Sequence, residues 1–257
     1  MDGLLSYFPA FLLILVRIAS FLVTVPVFSY RNIPTSHKIG LSVLLSFILV
    51  TTLDLPALEI DDEFILLVLK ESIVGLSLGL IAYIAIMCIQ IAGGLIDFQM
   101  GFAMANVIDP QTGGQSPIFG QYLYIFSLLF LLSIDGHHLL IQGIYHSYQI
   151  IKIDDLSLSM GQEPFVKFIV KTFATMFLTA VQMSLPIVGS IFLVDLALGI
   201  MARTVPQLNI FVVGFPVKII ISFVLLIVVM GSMFMVIQRI FEQMLYAMRT
   251  LMNILGG

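Results

Sequence analysis

Charge is scarce in this chain. Of its 257 residues 10% are Asp, Glu, Lys or Arg and 60% are hydrophobic, against roughly 25% charged and 45–50% apolar in an ordinary soluble domain. With a mean hydropathy of +1.13, a water-soluble globular fold is excluded. Cysteine is nearly absent as well. The single residue, Cys88, lies in an apolar run, so there is no disulfide framework and no thiol metal cluster, and the thiol reads as buried and structural. Basic clusters are missing, and a net charge of -4 on a chain of this length gives nucleic acid no footing. The sequence holds no HExxH, SxxK or GxxxxGK[ST], which removes the usual marks of metalloproteases, acyl-serine enzymes and P-loop nucleotide hydrolysis. No repeat of 20–50 residues and no low-complexity linker divides it. Its first stretch, MDGLLSYFPAFLLILVRIASFLV, lacks a basic n-region and a cleavage site and carries Arg17 in its apolar core, so it reads as a retained span rather than a signal peptide.

What the chain has is long apolar runs, at about 8–28, 39–53, 64–92, 122–153, 165–200 and 218–238. A helix needs about 20 apolar residues to cross hydrocarbon, and stretches such as ISFVLLIVVM show no strand alternation. The expectation is an all-α membrane protein with about six long hydrophobic segments, arranged as kinked hairpins around a Gly/Pro-rich loop. The third to fifth segments exceed a straight crossing, with Pro186 and the Asp135-Gly136 pair as natural break points. Arg31 and Lys38 in the first connection, and Arg203 leading to Lys218 in the fifth, place those connections in the cytoplasm by the positive-inside rule. Six crossings then put both termini outside, which Arg239 and Arg249 contradict, so either the tail folds back or the last span does not cross. That tail carries Met244, Met248 and Met252 on one helical face, either an adaptable packing surface or a docking helix.

Arg17, Lys70, Glu71, Asp97, Asp135, Asp195 and Lys218 lie within or beside apolar runs, where a charge costs at least about 2.5–3.5 kcal/mol at a helix centre. Either they pair between helices and subunits, or they line a hydrated pathway. Lys218 and Arg203 are candidates for contact with a cytoplasmic-side partner, or serve as positive-inside anchors only. In DGHH, at 135–138, adjacent histidines on a helix point about 100° apart and no third ligand stands at i+4, so no metal is expected. Asp135, His137 and His138 are assigned to structure or subunit contact, with Asp135 capping the next helix. No cofactor is expected.

The stretch GGLIDFQMGFAMANVIDPQTGGQSP at 93–117 must leave the helix. Pro110 disfavours helical geometry at Asp109, and Gly113 and Gly114 permit left-handed backbone. Non-helical backbone at membrane depth is tolerated only when protein buries it or a watery cavity meets it. It is therefore a surface loop or a re-entrant pore element, and its apolar flanks, Phe98, Met100, Phe102, Met104, Ile118 and Phe119, favour a segment packed inside an assembly.

In the order VRIASFLVTVPVF, GGLIDFQMGFAMANVIDPQTGGQSP, DGHH and LVDLALGIMARTVPQLNIFVVGFPVKI, the sequence resembles the FliR/SctT family over essentially its whole length. This family supplies the export-gate subunit of flagellar and virulence type III secretion systems. The resemblance implies a non-enzymatic core membrane component that joins FliP-like and FliQ-like subunits, with an FlhB-like protein docked nearby, in the inner membrane of a bacterial cell. Its cargo would be unfolded protein chains, and the DPQTGGQSP match points to the flagellar basal body. It further implies FliP-like hairpins over 1–92, a plug-loop region over 93–121, central helices over 122–192 and a FliQ-like hairpin with its tail over 193–257. The plug would comprise Asn106, Asp109, Pro110, Gly113, Gly114, Pro117 and Phe119, while Arg17, Glu71, Asp97, Asp135, His137, His138, Asp195, Arg203 and Lys218 would be buried or contact neighbouring subunits. The competing reading is an ion-coupled secondary transporter of a small solute using Asp97, Asp109, Asp135 or Asp195, against which missing inverted repeats count. An intramembrane hydrolase built on Asp109, Asp135 or the histidine pair lacks a recognisable activated nucleophile.

Overall fold

The structure is a computed structural model that describes residues 7–30, 33–53, 55–56, 58, 60–102, 117–158, 163–205, 207 and 209–257. Among these, seven helices follow one another: α1 (Phe8–Thr24), α2 (Thr35–Thr52), α3 (Asp62–Met100), α4 (Ile118–Ser133), α5 (Gly136–Ile150), α6 (Glu163–Thr204) and α7 (Ile210–Gly256). All six apolar runs are helical, the fourth as the pair α4 and α5.

Local chemistry sets the helix starts. Pro9 sits in the first turn of α1, where its missing N–H is not needed. Asp61 accepts a hydrogen bond from the Phe64 N–H at 3.0 Å, and Asp62 and Glu63 occupy the first turn of α3, where acidic groups meet the positive end of the helix dipole. In α6 Glu163 opens the helix and Arg203 closes it, again in the sense the dipole favours.

Helices α3, α6 and α7 have 39, 42 and 47 residues, or roughly 60–70 Å at 1.5 Å per residue, about twice the hydrocarbon thickness. With α2 they make four helices long and apolar enough to cross a membrane, and α4 with α5, bent by 73°, would make a fifth; α1 is shorter. The break at Asp135-Gly136 falls where the sequence placed it. Pro186 does not break α6, which continues through it. Nor does the tail form a separate element that folds back, because α7 runs unbroken from Ile210 to Gly256.

Two compact units divide the chain, and α3, α4, α6 and α7 each supply residues to both. The first comprises Met1–Ala85, Leu131–Phe173 and Phe241–Gly257. Its core gathers Leu13, Ile18 and Phe21 of α1, Val74 and Leu78 of α3, Leu140 and Ile144 of α5, and Met244, Met248 and Met252 of α7. The methionine stripe is therefore interior packing, not an open docking face. Glycines allow α3 to approach α1 closely: a Cβ on Gly75 would overlap Ser20 Oγ and the Arg17 carbonyl, and one on Gly79 would overlap Thr24 Oγ1. The second unit comprises Ile86–Phe130 and Ala174–Ile240, with Ile89, Ile96, Met183, Ile187, Leu226 and Ile237 in its core. Cys88 is buried, as expected.

Burial is uneven. In the most apolar stretch of α3, 56% of residues are buried inside the chain, but only 17% in α2, α6 and α7. Phe47, Val170, Phe173, Phe177, Ile220 and Ile227 are among the large side chains left exposed. Such faces require lipid or other protein.

Candidate functional site

Of the sequence-derived loop residues, Asn106, Asp109, Pro110, Gly113 and Gly114 lie outside the described residues, whereas Pro117 and Phe119 lie within them. The two edges of the loop are defined in the second unit. On the exit side α3 closes with the Phe102 N–H donating to the Asp97 carbonyl at 3.1 Å and the Gly101 N–H donating to the Phe98 carbonyl at 3.2 Å. With Gly101 at φ +91 this is a Schellman ending, which needs a residue at ease in the left-handed region. On the return side the Asp97 carboxylate takes over. Its Oδ2 accepts hydrogen bonds from the backbone N–H groups of Phe119 at 2.8 Å and Gly120 at 3.2 Å, the otherwise unpaired donors at the start of α4. Asp97 thus holds both edges, one through its carbonyl and one through its side chain.

Packing reinforces the clip. A Cβ on Gly93 would overlap the Gly120 backbone, and one on Gly120 would stand 2.9 Å from the Gln90 carbonyl, so α3 and α4 meet backbone to backbone. The Phe119 ring stacks on Phe102 at 5.9 Å and meets Phe223 edge-on at 5.7 Å. These three rings form an aromatic base beneath the loop edges.

The hairpin from α6 to α7 carries a second polar contact of this unit. Asp195 of α6 ion-pairs with Lys218 of α7 and accepts from Gln99 Nε2 of α3 at 3.0 Å. Lys218 is thus engaged within the chain, while Arg203 is exposed in the last turn of α6.

The first unit holds the fully buried ionic centre. Arg17 of α1 and Glu71 of α3, both 0% exposed, form a two-pronged pair through Nε and Nη2, the geometry in which a guanidinium best matches a carboxylate. Arg17 also donates to Ser147 Oγ at 3.0 Å and the Ile151 carbonyl at 3.1 Å, and lies 4.1 Å from the Tyr148 ring centre. Lys70 contacts Glu71 at 2.9 Å and donates to the carbonyls of Lys152, Ile153 and Asp155 at 2.6, 3.0 and 3.0 Å. One carboxylate faces two cations, and backbone carbonyls supply the remaining acceptors. Of the two readings of the intramembrane charges, these contacts match interhelical pairing. Beyond this centre Asp155 is exposed, and hydrogen bonds from the backbone and side chain of Ser157 hold its carboxyl below the usual range.

Asp135 stands at the N-terminal edge of α5 but makes no side-chain capping bond, contrary to expectation. Its carboxylate turns to His138, Oδ1 lying 3.6 Å from Nδ1, and the rings of His137 and His138 are 4.1 Å apart. The left-handed backbone of Asp135, at φ 56, brings this carboxylate beside rings that helical spacing alone sends apart.

Sequence reasoning missed Ser147, Tyr148 and Gln99, polar partners whose positions carry no local signal. It also missed that GLSLG at 75–79 matches GxSxG. That pattern marks a nucleophile only on a sharp strand-to-helix turn, and here Ser77 sits within α3, its hydroxyl bonded to the Val74 carbonyl at 3.0 Å.

The fold and the loop base define an all-helical integral membrane protein that pairs Arg17 and Lys70 with Glu71, and Asp195 with Lys218, within the chain and leaves long apolar helix faces open. The family model for bacterial export proteins, family 1, matches residues 8–244, and the chain belongs to that family. It is 54% identical over 257 residues to the flagellar biosynthetic protein FliR of Bacillus subtilis, covering 100% of this chain and 99% of the relative. Proteins of the same name from Pectobacterium carotovorum and Escherichia coli are 32% and 28% identical, covering 79% and 80% of this chain and 77% and 78% of theirs.

Proposed function

We propose that this chain is a core subunit of the flagellar type III protein export gate, assembling with FliP-like and FliQ-like subunits and an FlhB-like partner in the bacterial inner membrane, at the flagellar basal body. The observation that carries the reading is the end-to-end similarity to a flagellar biosynthetic protein, 54% identical over 257 residues. Family membership gives no support to a small-solute transporter. The largely unburied apolar surfaces of α2, α6 and α7 suit a subunit whose neighbours complete its packing, and the α6–α7 hairpin clamped by Asp195 and Lys218 suits the FliQ-like role.

Within this reading the stretch 106–119 plugs the conduit for unfolded chains. The Asp97 clip and the Phe102–Phe119–Phe223 rings support it by giving the loop a fixed base. Apolar side chains seal a pore against ions, and glycine-rich backbone changes path at low cost. Co-expression with FliP-like and FliQ-like proteins, followed by detergent purification, tests the assembly. A stoichiometric complex is expected, and a monodisperse, self-sufficient monomer would refute it.

A further inference from the structure

One cluster has no part in the loop base or the Arg17–Glu71 centre. It lies at the 73° break between α4 and α5. Asp135, with φ 56 and ψ 24, is the non-glycine residue with positive φ among the described residues. An aspartate at this position ordinarily accepts the free N–H groups of the helix it precedes, yet its carboxylate makes no such bond and faces His138 instead. One donor atom from each of Asp135, His137 and His138 falls within 4.8 Å of the others. His137 Nδ1 is buried without a hydrogen-bond partner, so no competing bond claims it.

We propose that Asp135, His137 and His138 form a three-donor site for a borderline divalent transition-metal ion, of the class Zn2+, Ni2+, Cu2+ and Co2+, and that this ion fixes the left-handed turn that opens α5. The donor set decides the class: two imidazoles suit these ions, whereas Mg2+ and Ca2+ prefer oxygen throughout. Metal–donor bonds of about 2.0–2.2 Å place neighbouring donors about 3–3.5 Å apart. Asp135 and His138 side chains are 78% and 66% exposed, so rotation about their own bonds closes the remaining gap without moving the backbone. Three protein donors leave at least one position for water. Because Asp135 is at once a ligand and the left-handed residue before α5, the ion would stabilise this turn over conformations in which the three donors part.

The test uses the full chain as extracted from membranes, with any subunits that accompany it, on a tag without histidine. After stripping with EDTA, Zn2+ is titrated against a chromophoric chelator. Wild type should bind one more ion per copy of this chain than the Asp135→Asn/His138→Gln double variant. Asparagine tolerates the left-handed region, so Asp135→Asn keeps the turn. Asp135→Asn and His138→Gln should each weaken Zn2+ at least tenfold, and His146→Gln should leave it unchanged. With Cu2+, pulsed electron paramagnetic resonance should report two coordinated imidazoles, both lost in His137→Gln/His138→Gln. Equal Zn2+ binding by wild type and the Asp135→Asn/His138→Gln variant, or a Cu2+ spectrum unaltered by removing the histidine pair, overturns the proposal.

Discussion

The carboxylate of Asp97 accepts the backbone N–H of Phe119 at 2.8 Å, across 22 residues of chain. A helix end and a helix start are thereby tied by one side chain, and the loop between them has a fixed footprint whatever path it takes. The Schellman ending at Gly101 and the close approach of Gly93 to Gly120 make that footprint a property of backbone geometry as well as of one charge.

Removing the clip should loosen the loop base without unfolding the protein. Hydrogen bonds to a charged group contribute about 1.5–3 kcal/mol. Asp97→Leu should raise amide exchange at Phe119 and Gly120 by about tenfold or more, while Asp97→Asn, which keeps an oxygen acceptor, should fall between it and wild type. Equal exchange in all three proteins would show that Asp97 does not hold the return edge.

The buried centre makes an asymmetric prediction. Glu71→Gln leaves Arg17 and Lys70 buried with no carboxylate between them, a loss of the kind that costs about 3–5 kcal/mol. Lys70→Met removes one cation and leaves the two-pronged Arg17–Glu71 pair, at about 1–3 kcal/mol. Thermal unfolding in detergent and steady-state level in membranes should both rank Glu71→Gln as the more damaging change. The reverse order would mean that the carbonyl cage around Lys70, not the Arg17–Glu71 pair, organises this region.

Glycines divide into two groups with opposite expectations. At Gly93 and Gly75 an added methyl meets backbone atoms of another helix, which cannot turn aside as a side chain can. Gly93→Ala and Gly75→Ala should each lower the unfolding midpoint. At Gly189 and Gly231, inside α6 and α7, nothing in the chain lies within 4 Å of the added carbon, so alanine should be neutral or stabilise the helix by up to about 1 kcal/mol. A loss at Gly189 as large as that at Gly93 would place a neighbouring molecule against α6.

Much of this architecture is legible in the residues because hydropathy and helix-breaking chemistry are local. The six apolar runs became helices, and Asp135-Gly136, a left-handed residue followed by glycine, became the bend. Partner identity is another matter. Arg17 finds Glu71 54 positions away and Ser147 130 positions away, and no spacing rule connects them. Pro186 misled because a proline removes one hydrogen bond of a long apolar helix without ending it. At the tail, Arg239 and Arg249 suggest a boundary in the sequence, yet α7 continues through both, its Met244, Met248 and Met252 buried in the first unit. In DGHH the two histidines lie on α5 as helical spacing describes, while Asp135 stands in the left-handed region before it, a backbone choice that spacing alone does not report.

If 106–116 seals a conduit, its sequence rather than its length should matter. Replacing it with a Gly-Ser segment of equal length keeps Pro117, Phe119 and the Asp97 clip in place and removes the apolar and proline-shaped character of the loop. The subunits should still co-purify in unchanged ratio, because the exposed faces of α2, α6 and α7 are untouched, while single-channel recordings or ion-sensitive dyes in vesicles should register a conductance absent from wild type. Asp97→Leu, which frees the return edge but leaves the loop sequence intact, should give a smaller leak. An assembled complex carrying the Gly-Ser segment and no added conductance would remove the sealing role and leave the loop as a spacer between α3 and α4.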